Sequence, residues 1–352
     1  MKRKTTRLLA LVISIFMLMP LLPATAFATD SPAVITDREA EFLALLDYDH
    51  AESLARYLSE EIGNRITYSP RRDMAADWIM DEFESYGYEP YIQEFTLSTS
   101  ATINGLIWID GKHYTYYGPT RALDTVYKYD DRASLVINGA AALNWPNANS
   151  ALVVPDGAGY SGKAVFVTIG GTSAATASNY YNAALALQNA GAAAVIFQLF
   201  PAATNGNTSY TRIGNTATGT ALTIPVGTTL NYETAGIISS LNEDTEILLN
   251  LYSNNVGKNI IAALPSESGS NKTVYVTSHF DTTGSGPGMN DNAVGVAMTL
   301  EMARAFKDWE FDYNLVLSPL TLKKSACWAL THIARQCRRT NAPTLRPITT
   351  WI

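Results

Sequence analysis

The chain has 352 residues and a mass of 38.2 kDa, enough for two compact domains. Apolar residues make up 47% and charged residues only 16%, which excludes a disordered chain and supplies ample core material. A formal charge of −7 argues against nucleic acid as a partner.

The charge is unevenly spread. Residues 1–28 hold four basic residues and no acid, and residues 318–352 hold six basic residues and no acid. The body, 29–317, is left with 15 Lys and Arg against 32 Asp and Glu, a charge of −17. Both cysteines, Cys327 and Cys337, lie in the basic tail. The body therefore has no disulfide and no cysteine-based metal site.

Met1–Arg7 is basic, Leu8–Ala24 is an apolar run broken by Pro20 and Pro23, and Ala26-Phe27-Ala28 has the small-x-small form that signal peptidase cuts. Residues 1–28 therefore predict a secretory signal, removed after Ala28. The expected protein is exported from a bacterial cell, with no stable membrane association after cleavage; a retained anchor is the alternative.

Two amphipathic helices follow. In the first, Leu54, Tyr57, Leu58 and Ile62 share a face and Gly63-Asn64 ends it. In the second, Ser69 caps and Pro70 takes the first helical position. There Ala75, Ile79, Phe83 and Tyr86 share a face, and Gly87 ends the helix. Tyr91–Leu97 reads as a strand. From about Ser98 to Ser253 the chain is poor in charge and rich in Ala, Gly, Thr, Asn and Tyr. Strands are expected at Leu152–Pro155, Ala164–Thr168, Ala193–Phe197, Leu222–Val226 and Ile247–Leu251, and helices at Asn182–Asn189 and Thr234–Leu241. Beyond Asn259, Ile260–Leu264 and Val274–Thr277 read as buried strands. Asn292–Lys307 reads as a helix with Val296, Leu300, Ala303 and Phe306 near one face, and Leu315–Leu317 begins another strand. The simplest architecture is an α/β domain built from 36–97 and from 255 onward, with the middle segment inserted into it.

The strongest chemical pattern is Ser278-His279-Phe280-Asp281 at a strand end, then Gly288-Met289-Asn290-Asp291-Asn292-Ala293-Val294-Gly295 at a helix start. Side chains at the carboxyl ends of strands in open α/β sheets are placed for chemistry. His279 is a good zinc ligand whose second ring nitrogen needs a partner, and Asp281 is placed to be one. Asp291 offers two carboxylate oxygens, enough to touch two ions about 3.5–4 Å apart. Singly, Asp291 reads as a helix cap and His279 as a core histidine; together they point to metal.

These residues resemble the co-catalytic dizinc aminopeptidases, the metallopeptidase family of aminopeptidase Y, aminopeptidase S and glutamate carboxypeptidase II. That family shows His-x-Asp at a strand end and then Gly-x-Asn-Asp-Asn-x-x-Gly. The resemblance implies a zinc-peptidase-type mixed sheet flanked by helices, two zinc ions, and peptide substrates. It also implies that His279 and Asp291 are metal ligands, with Asp291 bridging and Asp281 orienting His279. The sequence does not distinguish zinc from cobalt or manganese.

The middle segment resembles a protease-associated domain of α+β type. Gly162-Lys163-Ala164-Val165-Phe166-Val167, Asn189-Ala190-Gly191-Ala192-Ala193-Ala194-Val195-Ile196-Phe197 and Ile224-Pro225-Val226 carry that likeness. The expected division is a signal over 1–28, a metallopeptidase domain over 29–100 and 255–317, and an insertion over 105–252.

After a strand like Asn314–Leu317 the family continues Ala-Phe-Asp-Ala-Glu-Glu-x-Gly-Leu-Leu-Gly-Ser. The first Glu is the general base and the second a zinc ligand, and further ligands follow. Here Ser318–Leu330 contains no acid, so no catalytic base is assigned in this chain and the domain is incomplete. The adjacent reading frame restores the motif. Taking the last base of each codon with the first two of the next, Pro319–Leu330 spells Phe-Asp-Ala-Glu-Glu-x-Gly-Leu-Leu-Gly-Ser under allowed codon choices. Trp328 into Ala329 fixes a Gly, because Trp has one codon. Residues 318–352 therefore read as an out-of-frame tail.

Two function classes follow. One is a secreted zinc aminopeptidase, inactive as written and impaired in zinc binding because the later ligands are missing. The other is a non-catalytic exported module that binds peptide or protein through the inserted segment. The tail is expected to stop the strand at Pro319 and to leave the faces of Val274–Thr277 and Asn292–Lys307 uncovered.

Overall fold

The computed structural model describes residues 37–67, 69–96, 102–118, 134–147, 150–155, 159–170, 177–199, 220–283 and 286–321. The proposed signal, residues 1–28, lies outside them, as does the tail beyond Thr321. The chain divides into two units between Leu46 and Asp47. The first contains a short helix, α1 (Asp37–Leu43), that the sequence pattern did not announce.

The second unit opens with α2 (Tyr48–Arg56), which runs on through a wide π-type turn, Tyr57–Ile62. Asp47 caps α2 by accepting from His50 N at 3.0 Å. Leu54, Leu58 and Ile62 are buried as their spacing predicts. Tyr57 is not: it is exposed and stacks on Trp78 with ring centroids 4.9 Å apart. α3 (Pro70–Ser85) begins as the sequence indicates, with Ser69 Oγ accepting from Arg72 N at 3.2 Å and Pro70 at the first position. It ends before Gly87, whose φ of 91° suits only glycine.

Two sheets follow. The smaller is ordered β1-β10-β12-β11, from β1 (Tyr91–Thr96), β10 (Val256–Leu264), β11 (Thr273–His279) and β12 (Asn314–Leu320). β10 is antiparallel to β1 and β12, and β11 is parallel to β12. α6 (Val294–Phe306) packs on this sheet with Val296, Leu300, Ala303 and Phe306 all buried, so the expectation of an uncovered helix face is overturned. The β11 residues Val274–Thr277 are half-buried. Buried Glu301 of α6 accepts from Asp47 N (2.6 Å) and pairs with His50 Nδ1 (2.8 Å) and Arg304 Nη2 (2.6 Å), which ties α2 to α6.

The larger sheet takes its strands from between β1 and β10 in the chain. They are β2 (Thr102–Ile109), β3 (Lys112–Tyr117), β4 (Ser134–Asn138), β5 (Ala140–Trp145), β6 (Ala164–Ile169), β7 (Ala194–Leu199), β8 (Val226–Thr228) and β9 (Glu246–Asn254), in the order β4-β9-β2-β3-β8-β7-β6-β5. β5 through β8 are parallel neighbours. α4 (Ala177–Asn189) connects β6 to β7, and α5 (Thr234–Ser240) precedes β9.

Three sequence expectations fail here. Leu152–Pro155 is not a strand, and Val153 is 78% exposed. The strand expected at Leu222–Val226 forms later, at β8. Above all, β12 does not stop before Pro319; it runs to Leu320 between two partners. In the antiparallel register of Leu317 with Ala262, Pro319 falls opposite Ile260. Its ring cannot donate to the Ile260 carbonyl. The Ser318 hydroxyl donates there instead, at 2.8 Å, and Thr321 N resumes the ladder to Lys258 O at 3.2 Å.

Candidate metal centre

β11 and β12 run parallel, so their carboxyl ends share one edge, where His279 lies opposite Leu320. The backbone leaves the sheet at Phe280, whose N–H donates to Leu320 O at 3.0 Å. It returns through Gly288 to a π-type turn, Met289–Ala293, from which α6 continues. Asp291 and Asn292 have non-helical dihedrals within this turn, and the Asp291–Asn292 peptide is cis. The cap positions fall at Gly288 for the turn and Ala293 for α6, so Asp291 is not the helix cap.

The three residues singled out by the sequence come together. His279 Nε2 is 3.1 Å from Asp291 Oδ1. On the other side of the ring, Nδ1 lies 3.1 Å from Asp281 O and 3.3 Å from Asp281 Oδ1. The second Asp281 oxygen accepts from Thr67 Oγ1 at 2.9 Å. Asp281 is thus held from two sides and orients the imidazole, leaving Nε2 for whatever meets it beside Asp291. The side chains grade from buried Asp281 to a 41% exposed Asp291, so the pair opens toward solvent.

Both motif glycines have steric reasons. Gly288 has a φ of +77°, and a Cβ there would overlap Thr282 Cγ2 and meet Asp291 O at 2.9 Å. At Gly295 a Cβ would run into the Asn292 side chain. That Asn292 amide donates to His279 O at 3.3 Å and ties the turn to the strand end.

The residues beneath the centre carry no motif in the sequence. Gly63 does end the helical run, as its place after Ile62 indicates, and Asn64 has a second role: its Nδ2 donates to Thr283 O and Gly286 O, both at 2.6 Å. Arg65 is fully buried, and its guanidinium is spent on main-chain carbonyls. Burial lowers its pKa to about 10, against the opposing pull of Asp281, Tyr232 and Asp291, so it stays charged at neutral pH. A lone Arg after Gly-Asn has no periodic signature, so only the fold reveals it.

His279 Nε2 and Asp291 Oδ1 form a nitrogen-and-carboxylate pair of the kind zinc takes, at a separation compatible with one shared ion. Asp281 on Nδ1 supplies the outer partner such a histidine needs. Among the described residues, no group of three or more His, Cys, Asp or Glu side chains is arranged to hold a metal ion. The pair fits part of a coordination sphere.

Residues 259–321 match the profile of Peptidase family M28. Aminopeptidase YwaD of Bacillus subtilis (strain 168) is 26% identical over 310 residues, covering 84% of this chain and 59% of YwaD. Among solved structures, the chain is similar to BSAP, a zinc aminopeptidase from Bacillus subtilis (21% identity, 82% of this chain and 65% of that one, TM-score 0.39). It is also similar to an aminopeptidase from Aneurinibacillus sp. strain AM-1 (19% identity, 87% and 71%, TM-score 0.39). The chain spans less than two thirds of the length of YwaD and of BSAP. YwaD and both of these solved structures are named as aminopeptidases.

Proposed function

We propose that this chain derives from an exported zinc aminopeptidase, an enzyme that removes N-terminal residues from peptides, and that it lacks the catalytic base as written. The observation that carries the reading is the His279–Asp281–Asp291 constellation at the carboxyl edge of β11. His279 and Asp291 are the proposed ligands. When bound, zinc supplies Lewis acidity to a scissile carbonyl. Asp281 holds the His279 ring with Nε2 outward, and Asn292 and Gly295 hold the turn that presents Asp291.

Export rests on the basic, apolar and small-x-small order of residues 1–28. Among the described residues no helix is long and apolar enough to cross a membrane. The insertion is proposed to be a protease-associated domain. Supporting this are a sheet built from strands that all lie between β1 and β10 in the chain, and the β6-α4-β7 crossover that turns at Gly191 with φ +87°. The acid-free tail is proposed to be out of frame from about Ser318, with β12 tolerating its first residues.

Two preparations test this, each assayed with zinc on an aminoacyl chromogenic substrate. The chain as written should give no turnover. A gene returned to the neighbouring frame at the Ser318 codon should give turnover that His279→Ala abolishes. Robust, His279-dependent turnover by the chain as written would sink the frame reading. Silence from the restored gene, folded and zinc-loaded, would sink the aminopeptidase reading.

A further inference from the structure

We infer that Arg65, assisted by Asn64, is a positioning residue of the metal centre: its buried planar guanidinium fixes the spacing between His279 and Asp291. The inference rests on the metal reading above. The segment from Phe280 to Gly288 links the two donors, and Arg65 grips both its ends. Nε donates to Phe280 O at 2.8 Å, one residue past His279. Nη1 donates to Pro287 O at 3.0 Å and Nη2 to Gly288 O at 3.1 Å, three residues before Asp291. The other anchors are Leu58 O (2.6 Å) and Gly63 O (2.7 Å), which fix the guanidinium to the end of the α2 helical run.

The main chain of Arg65 adds two bonds to the same loop. Its N–H donates to Thr282 Oγ1 at 2.9 Å, and its carbonyl accepts from Thr282 N at 3.1 Å. Asn64 holds the middle through Thr283 O and Gly286 O. One rigid fork thus measures the distance between the strand end and the turn. A flexible ammonium has three donors on a single atom and cannot reach carbonyls spread around the rim of a planar fork. The fit at Gly288 is equally tight: a Cβ there would come within 3.1 Å of Arg65 Nη2.

A residue that only stabilised the fold would change melting temperature and leave zinc affinity in the folded fraction untouched. Calorimetric titration with zinc ion alone separates these, in the protein restored in frame at Ser318 so that the later ligands are present, with thermal melts recorded in chelator. Arg65→Lys keeps the charge and loses the fork; its folded fraction should bind zinc about 10–100-fold more weakly, the usual effect of disturbing a residue behind a ligand. Unchanged affinity in folded Arg65→Lys overturns the inference while leaving the metal reading intact. If Arg65→Lys does not fold, Asn64→Ala decides by the same measure: weaker binding at unchanged secondary structure supports the inference, and equal binding overturns it. His279→Ala and Asp291→Ala are the controls. Zinc binding that survives both sinks the metal reading, and this inference with it.

Discussion

Arg71, on the first turn of α3, reaches across to the larger sheet, and both it and its partner Glu233 are buried. Its Nη1 meets Glu233 Oε1 at 2.7 Å and Thr115 Oγ1 at 3.0 Å, Nη2 donates to His113 O at 2.6 Å, and Nε donates to His113 Nδ1 at 3.1 Å. Glu233 Oε2 also accepts from Thr115 N at 2.9 Å. Removing one member of such a pair strands a buried charge, whereas removing both does not. Arg71→Met should therefore cost about 3–5 kcal/mol in urea unfolding, and Arg71→Met with Glu233→Leu should recover most of that loss. His113 adds a pH term. Burial, then the Arg71 charge, lowers its pKa to about 4 from an ordinary value near 6.5. Between those values the unfolded chain binds a proton that the folded chain refuses. The His113 contribution is thus complete above about pH 6.5 and is lost as pH falls toward 4. Unfolding midpoints measured from pH 4 to 7 should be flatter in His113→Asn than in the parent. His279, Asp281 and Asp291 were legible because their motif is compressed into thirteen residues of sequence. Arg65, Arg71 and Glu233 were not, because their partners lie far off in the chain and nothing local marks a buried cation.

At the scale of elements, local chemistry was readable wherever a turn or cap forced it. Ser69-Pro70 opened α3 and Gly87 closed it, and Gly191 closed α4. The Asp110-Gly111 pair, with φ of 50° and 75°, is the β2–β3 hairpin turn. That dipeptide is a strong hairpin signal, yet it was passed over in a stretch that reads as featureless by charge. Leu152–Pro155 misled because four apolar-looking residues give no period to test. Pro319 misled for a better reason: proline does remove a ladder donor, but the rule leaves open a side-chain substitute from the preceding residue. That substitution is measurable. Ser318→Ala leaves the buried Ile260 carbonyl without its donor and should cost about 1–3 kcal/mol. Adding Pro319→Ala restores a backbone N–H opposite Ile260 and should return part of the loss. If the double variant in chemical denaturation is no more stable than Ser318→Ala, the hydroxyl is not replacing a ladder bond.

For the molecule as a whole, the arrangement of the two sheets depends on where the chain crosses between them. Thr96 of β1 pairs with Val256 of β10, and Thr102 of β2 pairs with Asn254 of β9. The outgoing and returning strands are therefore neighbours at both sides of the junction, and Asn255 alone separates β9 from β10. A segment whose ends meet in this way forms its contacts without help from the rest. Among the described residues its buried cluster, with Ile107, Phe166, Leu187, Ile196, Phe197 and Ile247 among its members, draws on residues between β2 and β9 alone. Among what it would lose on isolation are the apolar contact of Tyr117 and Leu230 with Ile66 and the Arg71 clasp on Glu233. With Arg71 gone, Glu233 becomes solvent-accessible rather than stranded, so the cost is that of lost contacts and not of an uncompensated buried charge. Residues 102–254 expressed alone should accordingly fold and melt in a single cooperative step, at a temperature below that of the same segment in the full chain. The check is thermal circular dichroism in the far and near ultraviolet. Coincident transitions in the two regions would make the segment an independent domain, while retained far-ultraviolet signal without near-ultraviolet structure would show that it needs the α3 and β10 side to pack.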